Sequence, residues 1–503
     1  MAYLIGVDIG TSGTKTVLFD EMGKTIKSAT YEYPMYQPKQ GWAEQNPKHW
    51  LDAVNSGIKE VISKSNVSKE DIKGLGLSGQ MHGLVILDKE DNILRDSIIW
   101  CDQRTTKECD EITNRVGKER LIELTANPAL TGFTASKILW VRNNEKAIYE
   151  KIAKIMLPKD YIRYMLTGEF ATEVSDASGM QLLDIKQRNW SDEVLEKLDI
   201  DKALLGKVYE SCEVTGKITK AAAEITGLKE GTIVVGGAGD QAAGAIGNGI
   251  VKKGLVSSTI GTSGVVFAYT DKLTIDKLGR VHTFCHAVPN AWHVMGVTQG
   301  AGLSLKWFRD NFCNEEKQVS SLLEKDVYDI MGQEATNINP GSDGLMYLPY
   351  LMGERTPHLD PFAKGVFFGL TPSHTKSHFV RAIMEGVSYS LRDCMEIIQG
   401  MEIDVDEIRA SGGGGRSPLW RQMQADNFNK DVVTINSKEG GALGVAILAG
   451  VGANIYKSVE EGCETAISVV SSTKPEEFAS QTYSKDYEKY KSLYLALKDE
   501  FRK

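Results

Sequence analysis

The chain opens on two apolar runs with a polar break between them. Leu4 to Ile9 and Thr16 to Phe19 are β-rich, and Gly10-Thr11-Ser12-Gly13-Thr14-Lys15 lies between. That pattern predicts a β-hairpin with a glycine-rich tip. The spacing then turns helical. Asn46-Pro47 is a start signal, and Trp50, Val54, Ile58 and Val61 recur on one face. A strand from Ile72 to Leu77 ends in Ser78-Gly79-Gln80-Met81-His82-Gly83. Residues 134 to 223 read as mostly helical, with Trp140, Leu157 and Tyr161 as core. A strand from Thr232 to Val235 runs through glycines into a small-residue helix beginning near Asp240. A second hairpin is predicted over Lys252 to Ala268, and a helix opens at Gln299-Gly300-Ala301-Gly302. A Gly/Pro-rich connection spans 341 to 371. The helix after it keeps Val380, Ile383, Met384, Val387, Leu391 and Cys394 on one face. Small residues start another helix at Glu439, and a charged helix closes the chain from Pro475.

One pattern recurs. Residues 9 to 13 and 260 to 264 both read Ile-Gly-Thr-Ser-Gly, and both lead into an apolar strand. An identical turn half a chain away suggests duplication, with each half offering one hairpin to a polyphosphate. Free backbone N–H groups in such turns make a nest for anions, and Thr11, Ser12 and Lys15 add hydroxyls and a positive charge. Asp8, on the strand before the first tip, suits a hydrated magnesium ion. There is no Walker A loop. Gly23-Lys24-Thr25 mimics its tail, but Leu18 stands where the first glycine is required.

Other candidates sit at strand ends, where α/β proteins hold ligands. His82 is a ligand or a hydrogen-bonded turn residue. Asp102 and Arg104 alternate and either face one cleft or form an ion pair. Asp240 has three readings: a general base for a substrate hydroxyl, a plain N-cap, or part of the weak dinucleotide pattern Gly237, Gly239, Ala242. The last puts a carboxylate where a pyrophosphate would lie, which electrostatics disfavours. Ser411 to Gly415 offers bare backbone to a flat ligand such as adenine. His282, Cys285, His286 and His293 crowd together without zinc-like spacing. Gly353-Glu354-Arg355-Thr356-Pro357-His358 reads as a lid or interface element.

At 503 residues the chain exceeds one core. Its net charge of -9, with no basic stripe, argues against a nucleic-acid backbone as partner. Seven scattered cysteines without a CxxC pair suit a reduced compartment. No apolar run approaches the ~20 residues that span a bilayer. A cytoplasmic protein without membrane partner is expected, and the start of the chain shows no signal-peptide pattern.

Together these pieces resemble the FGGY family of carbohydrate kinases, a branch of the actin-like ATPase superfamily, over essentially the whole chain. Gly132 to Asn144, with Lys137 and Trp140, and Gly365 to Glu385 match the family's two patterns. Asp8-Ile9-Gly10-Thr11 matches its first-strand motif, and Gly79 to Gly83 looks like a sugar-binding turn. Gly41 to Gln45, His282 to Pro289 and Gly353 to Pro361 are similar to family sequences as well. The resemblance implies an α/β fold of two actin-like (ribonuclease H-like) ATPase domains around a deep cleft. Residues 1–229 would form the sugar side. Residues 230–503 would form the nucleotide side and carry the C-terminal helix. It further implies ATP and Mg2+ as cofactors and D-xylulose as acceptor, with ribulose, gluconate or glycerol as alternatives. A non-kinase ATPase or sugar sensor is a further alternative, and a homodimer is expected. Asp8 would hold magnesium, and Thr11, Ser12 and Lys15 would contact phosphate. Met81, His82, Arg104, Asp240 and Gln241 would line the sugar pocket, with Asp240 as base. Gly261, Thr262, Gly302, Gly413, Gly414 and Ser417 would serve the nucleotide. Gln241 departs from the family's Asn.

Overall fold

The apolar runs assemble into two seven-stranded sheets, as seen in a computed structural model describing residues 1–503. In the first sheet Thr25–Glu32, Gly13–Asp20 and Tyr3–Ile9 form an antiparallel meander. Ile72–Gly79 then pairs in parallel with Tyr3–Ile9, Ile233–Val235 in parallel with Ile72–Gly79, and Val214–Lys217 closes the edge antiparallel. The second sheet repeats this order: Trp292–Thr298, Gly264–Thr270, Gly254–Ile260, then Val405–Gly412 and Val432–Ile435 in parallel, then Val469–Thr473 antiparallel. His282–Cys285 adds one further edge strand. The repeated five-residue turn is therefore the visible remnant of a whole repeated sheet.

The two copies of the turn close differently. The last pair across the first hairpin is Ile9 with Thr14, whereas across the second it is Ile260 with Gly264. The second tip is thus one residue shorter. Local sequence is the same, so the flanking ladders decide the register.

Between the sheets two small-residue helices cross, Asp240–Gly247 and Gly440–Gly452. A Cβ on Gly247 would stand 1.9 Å from the Gly440 carbonyl oxygen, and one on Gly444 1.9 Å from that of Ala243. The Gly440–Gly452 helix also seats on the first sheet. There a Cβ on Gly6 would stand 1.8 Å from the Ala442 oxygen, and one on Gly76 2.0 Å from the Val445 oxygen. Only glycine permits backbone to meet backbone so closely. The first sheet also takes in Ala238–Gly239, which pairs in parallel with Ile72–Gly79. It therefore runs past the boundary expected at 229/230. The sequence shows a strand there, but not which sheet it joins.

Helix starts are read well from the chain. Asn46 caps Pro47–Ser63 through a bond from the Lys48 N–H, and Trp50, Val54, Ile58 and Val61 are fully buried. The C-terminal helix Glu477–Leu497 docks by Tyr483, Tyr487, Tyr490 and Tyr494. Residues 134 to 223 are less helical than expected. Short strands such as Lys154–Met156, Ala171–Glu173 and Lys207–Tyr209 interrupt them, each too brief to show a period of two. Within 341 to 371, Met346–Leu348 and Val366–Phe368 pair and close off the Gly353–Pro361 loop. No helix is long and apolar enough to cross a membrane.

Candidate active site

Asp8 sits near the end of the central strand of the first sheet, beside Lys15 on one neighbour and Ser78 on the other. Ser78 Oγ donates to Asp8 Oδ1 at 2.8 Å. Burial pushes the Asp8 carboxyl up, and the Ser78 bond and Lys15 charge offset part of that. In the second sheet Thr259 holds the matching place before Ile260-Gly261, and it bonds Ser411 at 2.6 Å. The duplicated frame therefore keeps a carboxylate in one half and a hydroxyl in the other.

Both tips leave their Thr-Ser N–H groups unpartnered. Gly10 N–H is used by the Gly13 carbonyl at 3.0 Å and Gly261 N–H by the Ser263 carbonyl at 2.9 Å, while those of Thr11, Ser12, Thr262 and Ser263 bond nothing in the chain. These free donors are what an anion nest requires. Lys15 is engaged: its Nζ lies 2.5 Å from Glu439, just before the Gly440–Gly452 helix. Thr11 Oγ1 accepts from Trp100 Nε1 at 2.9 Å. Gly302, expected on the nucleotide side, has no backbone N–H to spare for a ligand. The Gly302 and Leu303 N–H groups already cap the second tip, donating to Gly261 and Thr262 at 2.9 and 3.1 Å.

Asp240 opens its helix directly after Gly239. Its Oδ1 accepts from the Gln241 N–H at 2.8 Å, and Gln241 Nε2 lies 3.4 Å from Oδ2. Its carboxyl is pushed up to about 7, first by burial and second by the charge of Asp8. Met81 lies against the same backbone, since a Cβ on Gly239 would stand 2.9 Å from Met81 Cγ. His82 takes a left-handed backbone, φ 69°, that turns its ring inward. Its Nδ1 donates to the Gly179 carbonyl at 2.8 Å, leaving Nε2 as an acceptor. Burial depresses its pKa to about 3, so the ring stays neutral. Met81 thus lies against the backbone that leads into Asp240, and Met81 and His82 both meet Gly179.

Arg104 does not join them. Its guanidinium forks onto Asp102 at 2.7 to 3.0 Å, pairs with Glu44 at 2.7 Å, and stacks 3.6 Å from the Trp42 ring. Asp102 and Arg104 form an ion pair, but a buried one rather than the exposed pair the sequence suggested, behind the 79–83 turn. Lys137 stands there too, donating to the His82 and Gly132 carbonyls at 2.8 and 2.7 Å. Burial lowers its pKa to about 7.

A cavity of about 460 Å³ runs from Asp240 and Gln241, past Thr259, to Ser411, Gly412 and Gly415. Gly413 and Gly414 belong to the same turn. Ser417 caps the Pro418–Phe428 helix, its Oγ accepting from the Trp420 N–H at 3.3 Å. Ser417→Ala is expected to cost ~1 kcal/mol of stability and to change the KM for nucleotide less than twofold, as denaturant melts and initial rates would show. His282, Cys285, His286 and His293 are buried, and no group of metal-ligating residues converges there.

Residues 3–247 match the N-terminal domain of the FGGY family of carbohydrate kinases, and residues 256–453 match its C-terminal domain. The chain belongs to the FGGY family of carbohydrate kinases. It is 40% identical to the xylulose kinase of Bacillus subtilis (strain 168), over 99% of this chain and 98% of that one. Among solved structures it is similar to the ligand-bound xylulose kinase from Lactobacillus acidophilus, with TM-score 0.91 and 29% identity over 99% and 98% of the two chains. It is equally similar to a gluconate kinase from that species, with the same TM-score of 0.91, 29% identity, and coverage of 99% and 98%. As an FGGY kinase it is an ATP-dependent sugar kinase on two actin-like α/β domains.

Several residues around the FGGY site are not legible from the sequence. Ser78 meets Asp8 only through a parallel pairing. Ser175 Oγ accepts from the Gly239 N–H at 3.1 Å, and Glu173 Oε1 accepts from Ser175 Oγ at 2.9 Å. Glu173 in turn lies 3.3 Å from buried Lys159. A Glu-x-Ser spacing carries no signal that it supports the backbone at Gly239.

Proposed function

We propose that this FGGY kinase transfers the γ-phosphoryl group of ATP to the terminal hydroxyl of D-xylulose, giving D-xylulose 5-phosphate. The continuous cavity from Asp240 to the glycine turn carries this reading, because it joins a base poised near neutrality to a bed for adenine. The acceptor is inferred from the relative named xylulose kinase at 40% identity and from the Gln80-Met81-His82 turn. Gluconate is the second reading, prompted by the likeness to a gluconate kinase structure, and the relatives named xylulose kinase outweigh it.

The sugar lies on Met81 and His82, and His82 Nε2 accepts a sugar hydroxyl hydrogen. The free N–H groups of Thr11, Ser12 and Thr262 receive phosphate oxygens. Gly413 and Gly414 lie under the adenine, and Gly261 and Gly302 shape the wall between. Asp240 takes the hydroxyl proton as that oxygen bonds to the γ-phosphorus and the bond to the ADP oxygen breaks. The transition state is loose, so positioning supplies much of the acceleration. Closure of the two lobes excludes water.

The residues present fit Mg2+. No all-protein cage of three or more ligands exists, and Asp8 has one oxygen held by Ser78 and the other, Oδ2, without a hydrogen bond. Mg2+ prefers such sites, where one or two carboxylates are completed by water and phosphate. Asp8 would hold it, and when bound it neutralises charge on the β- and γ-phosphates.

The base must be ionised to act. With its pKa at about 7, kcat/KM for sugar is expected to level off above neutrality and to fall ~tenfold per pH unit below it. A profile flat from pH 5.5 to 8 would contradict the assignment. The same shift affects stability. The folded carboxyl holds its proton more tightly than the unfolded one, so ionised Asp240 costs stability above about pH 7 and nothing below the ordinary carboxylate range. Asp240→Asn should therefore raise Tm at pH 8, with the gain shrinking as the pH falls toward 4.

The acceptor is tested by mass analysis of products from ATP with xylulose, ribulose, gluconate and glycerol. A pentulose phosphate formed fastest from xylulose supports the proposal, and preferential phosphogluconate overturns it.

A further inference from the structure

Arg355 is an arginine with almost nothing to hold. Its guanidinium makes one hydrogen bond in the chain, Nη1 donating to His282 Nε2 at 3.4 Å, and no carboxylate pairs with it. His282 Nδ1 donates to Asn127 Oδ1 at 2.7 Å, so its Nε2 is free to accept. Arg355 is only partly buried; burial lowers its pKa, and the charge of neighbouring Glu354 offsets part of that. Its other N–H donors are therefore open to a ligand as well as to water.

The backbone beneath it is held firmly. Glu354 accepts from Thr298 Oγ1 at 2.6 Å, from the Gln299 N–H at 3.0 Å and from the Arg355 N–H at 2.7 Å. The Thr356 N–H donates to the Val297 carbonyl at 3.0 Å. Arg355 is thereby fixed to the strand Trp292–Thr298 of the second sheet. Its side chain reaches a wall shared by both halves. The His282 ring stands 5.9 Å from Phe133, and Phe133 stands 4.6 Å from the ring of His82, the residue on the sugar floor. The charge of Arg355 comes directly after burial in holding His282 neutral, and for His82 it adds a smaller push behind burial and Lys137.

We propose that Arg355 is a specificity-determining residue of the sugar site, its guanidinium donating hydrogen bonds from the second half of the chain to oxygens of a sugar resting on Met81 and His82. The acceptors are those of a polyhydroxy compound: hydroxyl, keto or carboxylate oxygens. A planar fork of five donors suits such a ligand better than a point charge does. Because Arg355 comes from the opposite half, a bound sugar bridges the two halves through it. This inference rests on the sugar lying at Met81 and His82, as proposed above.

The test compares the parent enzyme with Arg355→Gln and Arg355→Lys, using the acceptor that product analysis identifies. For Arg355→Gln the KM for sugar is expected to rise ~tenfold or more, the usual loss for a hydrogen bond to a charged group. The KM for ATP should stay within twofold, and Tm close to that of the parent. Arg355→Lys should fall between the two. An unchanged sugar KM overturns the proposal. So does a joint rise of both KM values with a fall in Tm, the signature of an arginine that only braces the fold. If Arg355→Gln fails to fold, Arg355→Lys decides alone, by a raised or an unchanged sugar KM at normal ATP KM. Should the parent prefer gluconate to xylulose, the acceptor assignment fails, while Arg355 is still judged on gluconate.

Discussion

Replacing Asp240 by Ala is expected to lower kcat ~100-fold or more while leaving the KM for ATP little changed. Asp240, the base proposed above, heads the cavity, and the side chains that follow are poor substitutes for it. Gln241 has no basic group. His82 is a weak base, its pKa depressed to about 3 and its Nδ1 bound to Gly179. Asp8 keeps one oxygen on Ser78 and lies beside the phosphate-side turn. Removing the carboxylate removes proton acceptance without touching Ser411 to Gly415, so nucleotide affinity should survive. The measurement is steady-state kinetics on Asp240→Ala with ADP binding measured directly. Turnover within tenfold of the parent would take the base role away from Asp240. Loss of ADP binding would place the residue in the fold instead.

Gly6→Ala is expected to cost ~3 kcal/mol or more of stability, at the top of the range for overpacked cores. The added Cβ would stand 1.8 Å from the Ala442 carbonyl oxygen. Both partners there are backbone, so no rotamer change relieves the clash, and the Gly440–Gly452 helix must lift off the first sheet. Lifting it would also move Gly441 away from Asp8, where a Cβ on Gly441 stands only 3.1 Å from the carboxyl carbon. Activity should therefore fall together with Tm. Gly332→Ala is the control. It is helical, a Cβ there meets nothing within 4 Å, and it should gain ~0.5–1 kcal/mol. Denaturant melts of both variants make the comparison. A Gly6→Ala protein as stable as its parent would mean that the helix does not seat on the sheet in this way.

Local sequence determined what local physics can fix. The glycine-hydroxyl tips, the Asn46 cap, the buried face of Pro47–Ser63 and the strand leading to Asp240 are set by neighbours a few residues away, through turn chemistry and hydrophobic period. The identical turns at 9 to 13 and 260 to 264 even announced the duplication. Tertiary structure alone decided the rest. It turned Arg104 into a buried partner of Asp102 and Glu44, and it placed Ile233–Gly239 on the first sheet rather than the second. It also gave the two identical turns different registers, and brought Met81 from a remote segment against Gly239, beside Asp240. Ionic pairing, strand register and the burial that lifts the Asp240 pKa depend on which remote groups arrive, and spacing along the chain does not encode that.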